Sequence, residues 1–558
     1  MHKDHDPAES CGPGDRSDNV PAKQAPGRHF RSVSFQRYSS VLLLLIVLLG
    51  FGIRLTALKW GQAYSYFGQG DAVEAYQVAV NYGHGEPRAL YLGQPNYNFH
   101  SKLPGPLWTI FCFVSLRAWG STEGVVLAII LLNTVAIYLI YALAKQTLGN
   151  RVALLAALFT AIFPWVVYYS GGLYNPDIMS FPGALLFFVL WRSIQFERSP
   201  VVFWAPILLL ALPQFHMSGL LLIPATALVL WLSPRRLNLP WLGIGFLAAL
   251  CLYLPYFRGE AADHWKNTRA MFASDGAANG YTFESLKAIS APLSFLVNWG
   301  PRWTRTAAEY RELGRAVFGS FAILLVCNII SMVVAGFLIL GAFFEIKQSM
   351  AGFWRAPRDV FARAPGLSLL VLLVFAPLLL ATIGGKPFHT RYCVVLLPAL
   401  LPLAAVGAAR WLDRRDVVGR VFLAGLILTC CVNVWLMPAM FRHQGRQIEQ
   451  GSIFIPSFQQ LETLYQSLKN HAGTNCVLEI DDSAYLHSLR PEEKQLRDAA
   501  LIRRYVTIRE KDGMHPPGEP TRCVYELRRA DAVPPGLRTI AYSSHGIAVV
   551  ARSEGAAH

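Results

Sequence analysis

Two carboxylates stand three residues apart in Gly70-Asp71-Ala72-Val73-Glu74-Ala75-Tyr76. On a helix that spacing puts both on one face. A pair of acids so placed can take a proton from an acceptor hydroxyl or hold a metal ion. Spacing alone favours the plainer reading, a solvated helix face with Asp71 near the positive end of the helix dipole. Further on, Phe99-His100-Ser101-Lys102-Leu103-Pro104-Gly105-Pro106-Leu107 sets a lysine at the head of a short apolar stretch. That lysine can pair with a lipid phosphate or anchor the stretch by snorkelling. Tyr174-Asn175-Pro176-Asp177 is a turn with a lone carboxylate, which also fits a helix N-cap. Lys386-Pro387-Phe388-His389-Thr390-Arg391-Tyr392 supplies Arg391, whose planar fork suits phosphate, with His389 and Tyr392 beside it. Arg54 is a further cation at the end of an apolar run, and snorkelling explains it equally well.

The elements that must position these residues are membrane helices. Of 558 residues, 53% are hydrophobic and 15% charged, where a soluble domain carries about 25% charged residues. Mean hydropathy is +0.35. The composition excludes a soluble enzyme, a disordered chain and a disulfide scaffold. The formal charge of +15 raises nucleic-acid binding as a possibility, which the placement of the charges settles. Residues 1–38 read as a disordered cytosolic tail. Residues 39–58 read as an uncleaved signal anchor, since no small-residue cleavage site follows. Apolar runs of spanning length follow near 123–145, 152–170, 178–195, 201–214, 217–232, 239–256, 319–344, 367–383, 392–409 and 419–437, giving about eleven spans. Pro104–Trp119 is too short to span and opens on three helix breakers, so it reads as an interfacial or re-entrant helix.

Basic residues test that count. With the N-terminus inside, the cytosolic connections hold Lys145 and Arg151; Arg192 and Arg198; Arg235 and Arg236; Lys347, Arg355, Arg358 and Arg363; and Arg410, Arg414, Arg415 and Arg420. The short outer connections 171–177 and 213–216 hold no lysine or arginine. Counting 104–119 as a span would invert the pattern. Much of the +15 is therefore an orientation signal, and nucleic acid is not a partner. Three large segments fall outside: 59–122, 257–318 and 438–558. The last holds 29 charged residues in 121, about twice the density elsewhere, and reads as a small soluble α/β domain. Its expected helices are 456–470 and 492–505. Its expected strands are 476–480, 523–527 and 539–551, the last turning at Ser544-His545-Gly546. Cys476 and Cys523 each open a strand on an oxidising face, and a disulfide between them is open at this point. Six cysteines in apolar stretches (Cys112, Cys251, Cys327, Cys393, Cys430 and Cys431) read as buried thiols.

This topology, built without the candidate residues, gathers Asp71, Lys102, Asp177 and Arg391 on one side of the membrane. Acids and phosphate-binding cations at one surface suit a reaction between a lipid phosphate ester and a polar acceptor. A flippase or transporter would instead bury ionisable groups at mid-membrane, where Asn133 is the most polar residue found.

With these motifs the chain resembles the GT-C superfamily of polytopic glycosyltransferases, in the bacterial branch similar to protein O-mannosyltransferases and aminoarabinose transferases. The resemblance rests on the acidic motif at Asp71, the His100-Ser101-Lys102-Leu103-Pro104 element, Pro176-Asp177, and Arg391-Tyr392 opening a Leu/Pro-rich span. It covers about 40–410. It implies a polyprenyl-phosphate sugar donor, inversion at the anomeric carbon, and catalysis at the periplasmic face of a bacterial inner membrane. It makes Asp71 the general base, with Glu74 as a second acid. Lys102, Arg391 and Arg54 become donor-phosphate ligands, and Asp177, His100, His389 and Tyr392 residues in or near the site. Ala72 stands where relatives often carry a second adjacent acid, so a divalent metal is left open. The sugar, hexosyl or pentosyl, and the acceptor (glycolipid, polysaccharide or protein) are also open. A glycan ligase using a pyrophosphate lipid shares most of these features.

Overall fold

The computed structural model describes residues 32–60, 69–96, 101–120, 122–272, 291–297, 307–383, 390–449, 458–472, 476–481, 496–512, 521–529, 539–542 and 547–551. The tail before Ser32, His100, His389 and the Ser544-His545-Gly546 turn lie outside the described residues.

All eleven expected spans are helical. Among the described residues, seven helices are long and apolar enough to cross a membrane: Tyr38–Lys59, Thr122–Leu148, Asn175–Gln195, Phe321–Ser349, Pro365–Ile383, Arg391–Leu412 and Val417–His443. An eighth, Leu239–Cys251 with Leu254–Ala262, bends by 45° at its break. The other three are covered by shorter apolar helices, and the sequence explains why. Phe163 before Pro164 is extended, as a residue preceding proline prefers, so the run 152–170 divides into Asn150–Ile162 and Pro164–Tyr168. His216 is extended at φ −156°, ψ 138° and separates Pro200–Phe215 from Met217–Leu232. The re-entrant stretch is the 13-residue helix Leu107–Trp119, ended by Gly120 at φ 78°, a left-handed cap that glycine adopts without strain.

Two boundaries differ from the sequence reading. The first helix begins at Ser32, so residues 32–38 are helical rather than tail; a helix nucleated in an apolar run propagates cheaply into polar neighbours. The last begins at Val417 and continues to Glu449 through Pro438, across the boundary expected at 438.

The five basic connections meet at one end of the bundle. Arg151 pairs with Asp413, and Arg410 with Glu345. The Arg198 amide donates to the Arg236 carbonyl at 2.8 Å. Arg358 lies 5.3 Å from the Trp231 ring centroid. A Cβ on Gly366 would meet Thr147 backbone at 2.8 Å, so the 365–383 helix starts against the end of Thr122–Leu148. The helices leave this end in alternating directions, and their far ends carry the candidate residues. Close backbone approaches hold the bundle together, as is usual between membrane helices. A Cβ on Gly407 would lie 2.0 Å from the Leu338 carbonyl oxygen.

The C-terminal unit is a four-stranded sheet in the order β3-β4-β6-β5, with β3 Cys476–Asp481, β4 Thr521–Arg529, β5 Thr539–Tyr542 and β6 Ile547–Ala551; the first pair, β1 Pro95–Asn96 and β2 Ser101–Lys102, lies in the membrane domain. β3 and β4 are parallel, the other neighbours antiparallel. Helices Phe458–Ala472 and Leu496–Asp512 contribute Leu461, Leu464, Leu468, Ile502 and Val506 to the core with Leu478, Ile480, Leu527 and Val549. The second helix starts four residues later than expected and runs seven further. Glu510 ties the layers together: it accepts from Tyr465 Oη at 2.7 Å, Lys469 Nζ at 3.2 Å and the Leu478 amide at 3.2 Å.

Cys476 and Cys523 form a disulfide across the β3–β4 pair, with Cα atoms 5.8 Å apart. Closing a loop of 47 residues is expected to add roughly 2–4 kcal/mol to this unit. Replacing both cysteines by serine should lower its unfolding midpoint by several degrees, measured by differential scanning fluorimetry under non-reducing conditions. An unchanged midpoint would show that the bridge contributes nothing.

Candidate functional site

Three irregular segments meet at the end opposite the basic connections. One is the 3-10 turn Asn175–Ile178, started by Pro176. The second is the 3-10 turn Thr390–Leu396. The third is the break at the extended His216, which follows helix Trp204–Phe215. Gly183 allows the first two to approach, since a Cβ there would stand 2.8 Å from the Val395 carbonyl oxygen. Asn175 Nδ2 donates to the Phe215 carbonyl at 3.1 Å and joins the third.

Asp177 is 4% exposed. Asn133 Nδ2 donates to its backbone carbonyl at 2.7 Å. Asn133 is eleven residues into helix Thr122–Leu148, about 16 Å along the axis at the usual rise. Asp177 is therefore buried well below the helix end. The Gly172 amide donates to it, while its Oδ1 is buried with no hydrogen-bond partner among the described residues. Arg391 acts electrostatically on both Asp177 and His216. Its guanidinium lies 5.3 Å from the Tyr174 ring centroid and 5.5 Å from that of Tyr392, a cation–π setting that orients the fork.

His216 is the residue that sequence reasoning missed. Its ring centroid is 5.3 Å from that of Tyr392. Its Nδ1 accepts the Ser218 amide at 3.2 Å and stands 2.8 Å from Ser218 Oγ. Because a backbone N–H points at Nδ1, the neutral ring carries its proton on Nε2 and is a hydrogen-bond donor there. Burial, followed by the positive charge of Arg391, lowers its pKa to about 3, so the ring is neutral at pH 7. The available signal was the polar pair Gln214 and His216 between two apolar runs.

Lys102 occupies β2, which pairs antiparallel with β1. Asn267 clamps its backbone: the Lys102 amide donates to Asn267 Oδ1 at 2.6 Å, and Asn267 Nδ2 donates to the Lys102 carbonyl at 3.1 Å. Three residues on, Gly105 packs against the Gln214 amide, which a Cβ would overlap. Contacts thus run from the lysine strand to the His216 link.

Asp71 and Glu74 lie in the first turns of helix Gln69–Gly83, as the spacing predicts, and their side chains lie outside the described ones. The C-terminal unit grips this helix. Arg504 Nε donates to Gln77 Oε1 at 2.7 Å, Arg509 Nη1 to Tyr76 Oη at 3.5 Å, and Lys511 Nζ to Asn81 Oδ1 at 3.1 Å. Arg509 also pairs with Glu462 at 2.8 Å. Burial works against the Glu462 carboxylate, but donors from Tyr505, Gln466 and Arg509 outweigh it and hold its pKa below the usual range. A cavity of about 210 Å³ opens at this junction, bounded by Tyr76, Phe113, Arg117, Glu123, Glu462 and Arg509.

Arg54 corrects an expectation. It is 1% exposed and donates to Ser170 Oγ at 2.7 Å and to the carbonyls of Gly50, Ala161 and Thr160 at 3.0, 3.1 and 2.8 Å. Four of its five N–H groups are thus committed to the protein, so it is a helix staple rather than a phosphate ligand. Among the described residues no group of three or more His, Cys, Asp or Glu side chains is placed to hold a metal ion.

Residues 100–257 match the family model for dolichyl-phosphate-mannose-protein mannosyltransferases. That stretch contains Lys102, Asp177 and His216. The fold is similar to the crystal structure of ArnT from Cupriavidus metallidurans bound to undecaprenyl phosphate, with a TM-score of 0.52, 12% identity, and coverage of 92% of this chain and 97% of that one. The likeness is one of fold, over nearly the whole length of both chains. The apo structure of the same ArnT gives a TM-score of 0.51 and 10% identity, covering 93% of this chain and 98% of that one. No curated protein sequence matches the chain.

The neutral state of His216 has a measurable consequence. A histidine whose folded pKa is depressed contributes stability that is full above its unfolded value near 6.5 and is lost as pH falls from there toward 3. The unfolding midpoint should fall across that window, and His216→Gln should flatten the fall. Identical pH profiles in the two proteins would contradict the neutral assignment.

Proposed function

We propose that the chain is a membrane glycosyltransferase. It moves a sugar from a polyprenyl-phosphate donor to an acceptor hydroxyl or phosphate at the face opposite the basic connections. By the distribution of charge that face is the periplasmic side of a bacterial inner membrane, and the C-terminal unit lies there too. The observation that carries the reading is the cluster in which Arg391 acts on buried Asp177 and His216, in a fold that an undecaprenyl-phosphate-binding protein shares.

In this reading the acceptor oxygen attacks the anomeric carbon as the bond from that carbon to the phosphate oxygen breaks. Asp71 takes the acceptor proton, with Glu74 beside it as the second acid. The leaving polyprenyl phosphate gains charge as the bond breaks, and preformed donors aimed at that charge lower the barrier. Arg391 supplies a charged fork, Lys102 a second cation, and His216 a neutral donor through Nε2. Asp177 has an acceptor atom, Oδ1, without a donor among the described residues, which a sugar or acceptor hydroxyl would satisfy. Attack opposite the departing phosphate inverts the anomeric centre. The sugar and the acceptor belong to chemistry the loops determine.

Purified protein should transfer radiolabel from at least one polyprenyl-phosphate sugar to an envelope acceptor. Asp71→Asn should reduce turnover by about 10²–10⁴-fold, the usual contribution of a general base, with donor affinity kept. Arg391→Ala should weaken donor binding as well as turnover. Full activity in Asp71→Asn would overturn the base assignment.

A further inference from the structure

A second cavity lies at the opposite, basic end of the bundle. It has a volume of about 540 Å³ and is bounded by Trp191, Glu197, Arg235, Arg236, Ala362 and Pro365, among others. Its walls come from the end of helix Ser180–Gln195, the loop after Leu222–Leu232, and the junction of Pro357–Arg363 with Pro365–Ile383. We propose that this cavity binds the phosphate headgroup of an anionic membrane lipid.

Charge is the first argument. The Arg235 and Arg236 side chains make no hydrogen bond or ion pair with the described residues; only their backbones are engaged. Three other arginines at this end are committed: Arg151 to Asp413, Arg410 to Glu345 and Arg414 to Asp416. Two guanidiniums left open beside one cavity are suited to a tetrahedral anion. Glu197 also borders the cavity, and the two arginines still leave it net positive. The 19-residue helix Pro365–Ile383 begins at the wall and points the positive end of its dipole there.

Preorganisation is the second argument. The Arg198 amide donates to the Arg236 carbonyl at 2.8 Å, and Asn238 Nδ2 donates to the Arg198 carbonyl at 2.9 Å. Arg358 Nη2 donates to the Trp231 carbonyl at 3.4 Å, and its guanidinium lies 5.3 Å from the Trp231 ring centroid. These bonds fix the loop that carries Arg235 and Arg236 against its neighbours, so the cavity exists before a ligand arrives. Position is the third argument. The cavity lies at the ends of two helices apolar and long enough to cross a membrane, at the depth where basic pockets between such helices take lipid headgroups.

The proposal does not rest on the transfer reaction. Full-length protein in mild detergent would be incubated with phosphatidylglycerol, phosphatidylcholine or inorganic phosphate and examined by native mass spectrometry. Wild type should retain phosphatidylglycerol over phosphatidylcholine. Arg235→Ala/Arg236→Ala should lower that retention at least fivefold, and Arg235→Lys/Arg236→Lys should restore most of it. Arg415→Ala/Arg420→Ala removes the same charge from another loop at the same end and should leave retention unchanged. Wild-type retention in the first pair would overturn the proposal. Equal losses in both alanine pairs would reduce it to bulk charge and overturn it too. Displacement of the lipid by millimolar inorganic phosphate would show a free-anion site instead, and a lipid site would be excluded.

Discussion

A charged side chain inside an apolar bundle persists only where the protein supplies its partners, because desolvation otherwise costs several kcal/mol per ion. The membrane domain meets this constraint in two different ways. Arg54 is saturated: three backbone carbonyls and Ser170 take four of its N–H groups, and its result is a fixed contact between the first helix and Asn150–Ile162. Asp177 and Arg391 instead compensate one another across two 3-10 turns, with tyrosine rings flanking the cation. That second arrangement is incomplete, since the buried Oδ1 of Asp177 has no donor among the described residues. A saturated buried ion holds structure, whereas an incompletely satisfied one marks where a polar ligand completes the set.

Irregular backbone is the means by which the fold brings these groups together. Regular helices would carry Asp177, His216 and Arg391 past one another with their polar backbone sealed. Pro176, the extended His216 and the turn at Thr390–Leu396 interrupt three helices at one level, and Gly183 lets two of the breaks touch. Such breaks are tolerated in membrane proteins where they line a protein-enclosed cavity. The acid-bearing helix Gln69–Gly83 is handled differently. It is positioned from outside the bundle, by Arg504, Arg509 and Lys511 of the C-terminal unit. The soluble-looking tail is thus connected to the face where chemistry is proposed.

Much of this was legible in the sequence. Apolar runs located the seven helices of spanning length among the described residues, and the basic loops grouped five connections that the structure brings to one end. Alternation found the C-terminal strands but left the pairing of Cys476 with Cys523 open, which strand order settles. Asp177 and Arg391 were named from turn chemistry and charge. Arg54 was misassigned because sequence shows a cation at a span end but not the carbonyls of residues 160 and 161 that fold back on it. His216 was missed because a lone histidine between apolar runs has no local pattern. Its role depends on Tyr392, Arg391 and Ser218, of which only Ser218 is near in sequence. The late start of helix Leu496–Asp512 and the early start at Ser32 reflect helix ends set by packing and propagation rather than by composition.

The central claim is that the Arg391, Asp177 and His216 cluster, at the end opposite the basic connections, receives the donor phosphate. An experimental structure of the full chain with a polyprenyl phosphate bound tests it most directly. The phosphate is predicted within hydrogen-bond reach of the Arg391 guanidinium, about 2.7–3.2 Å, with His216 Nε2 and Lys102 facing it. A phosphate bound away from Arg391 and His216 would contradict the account.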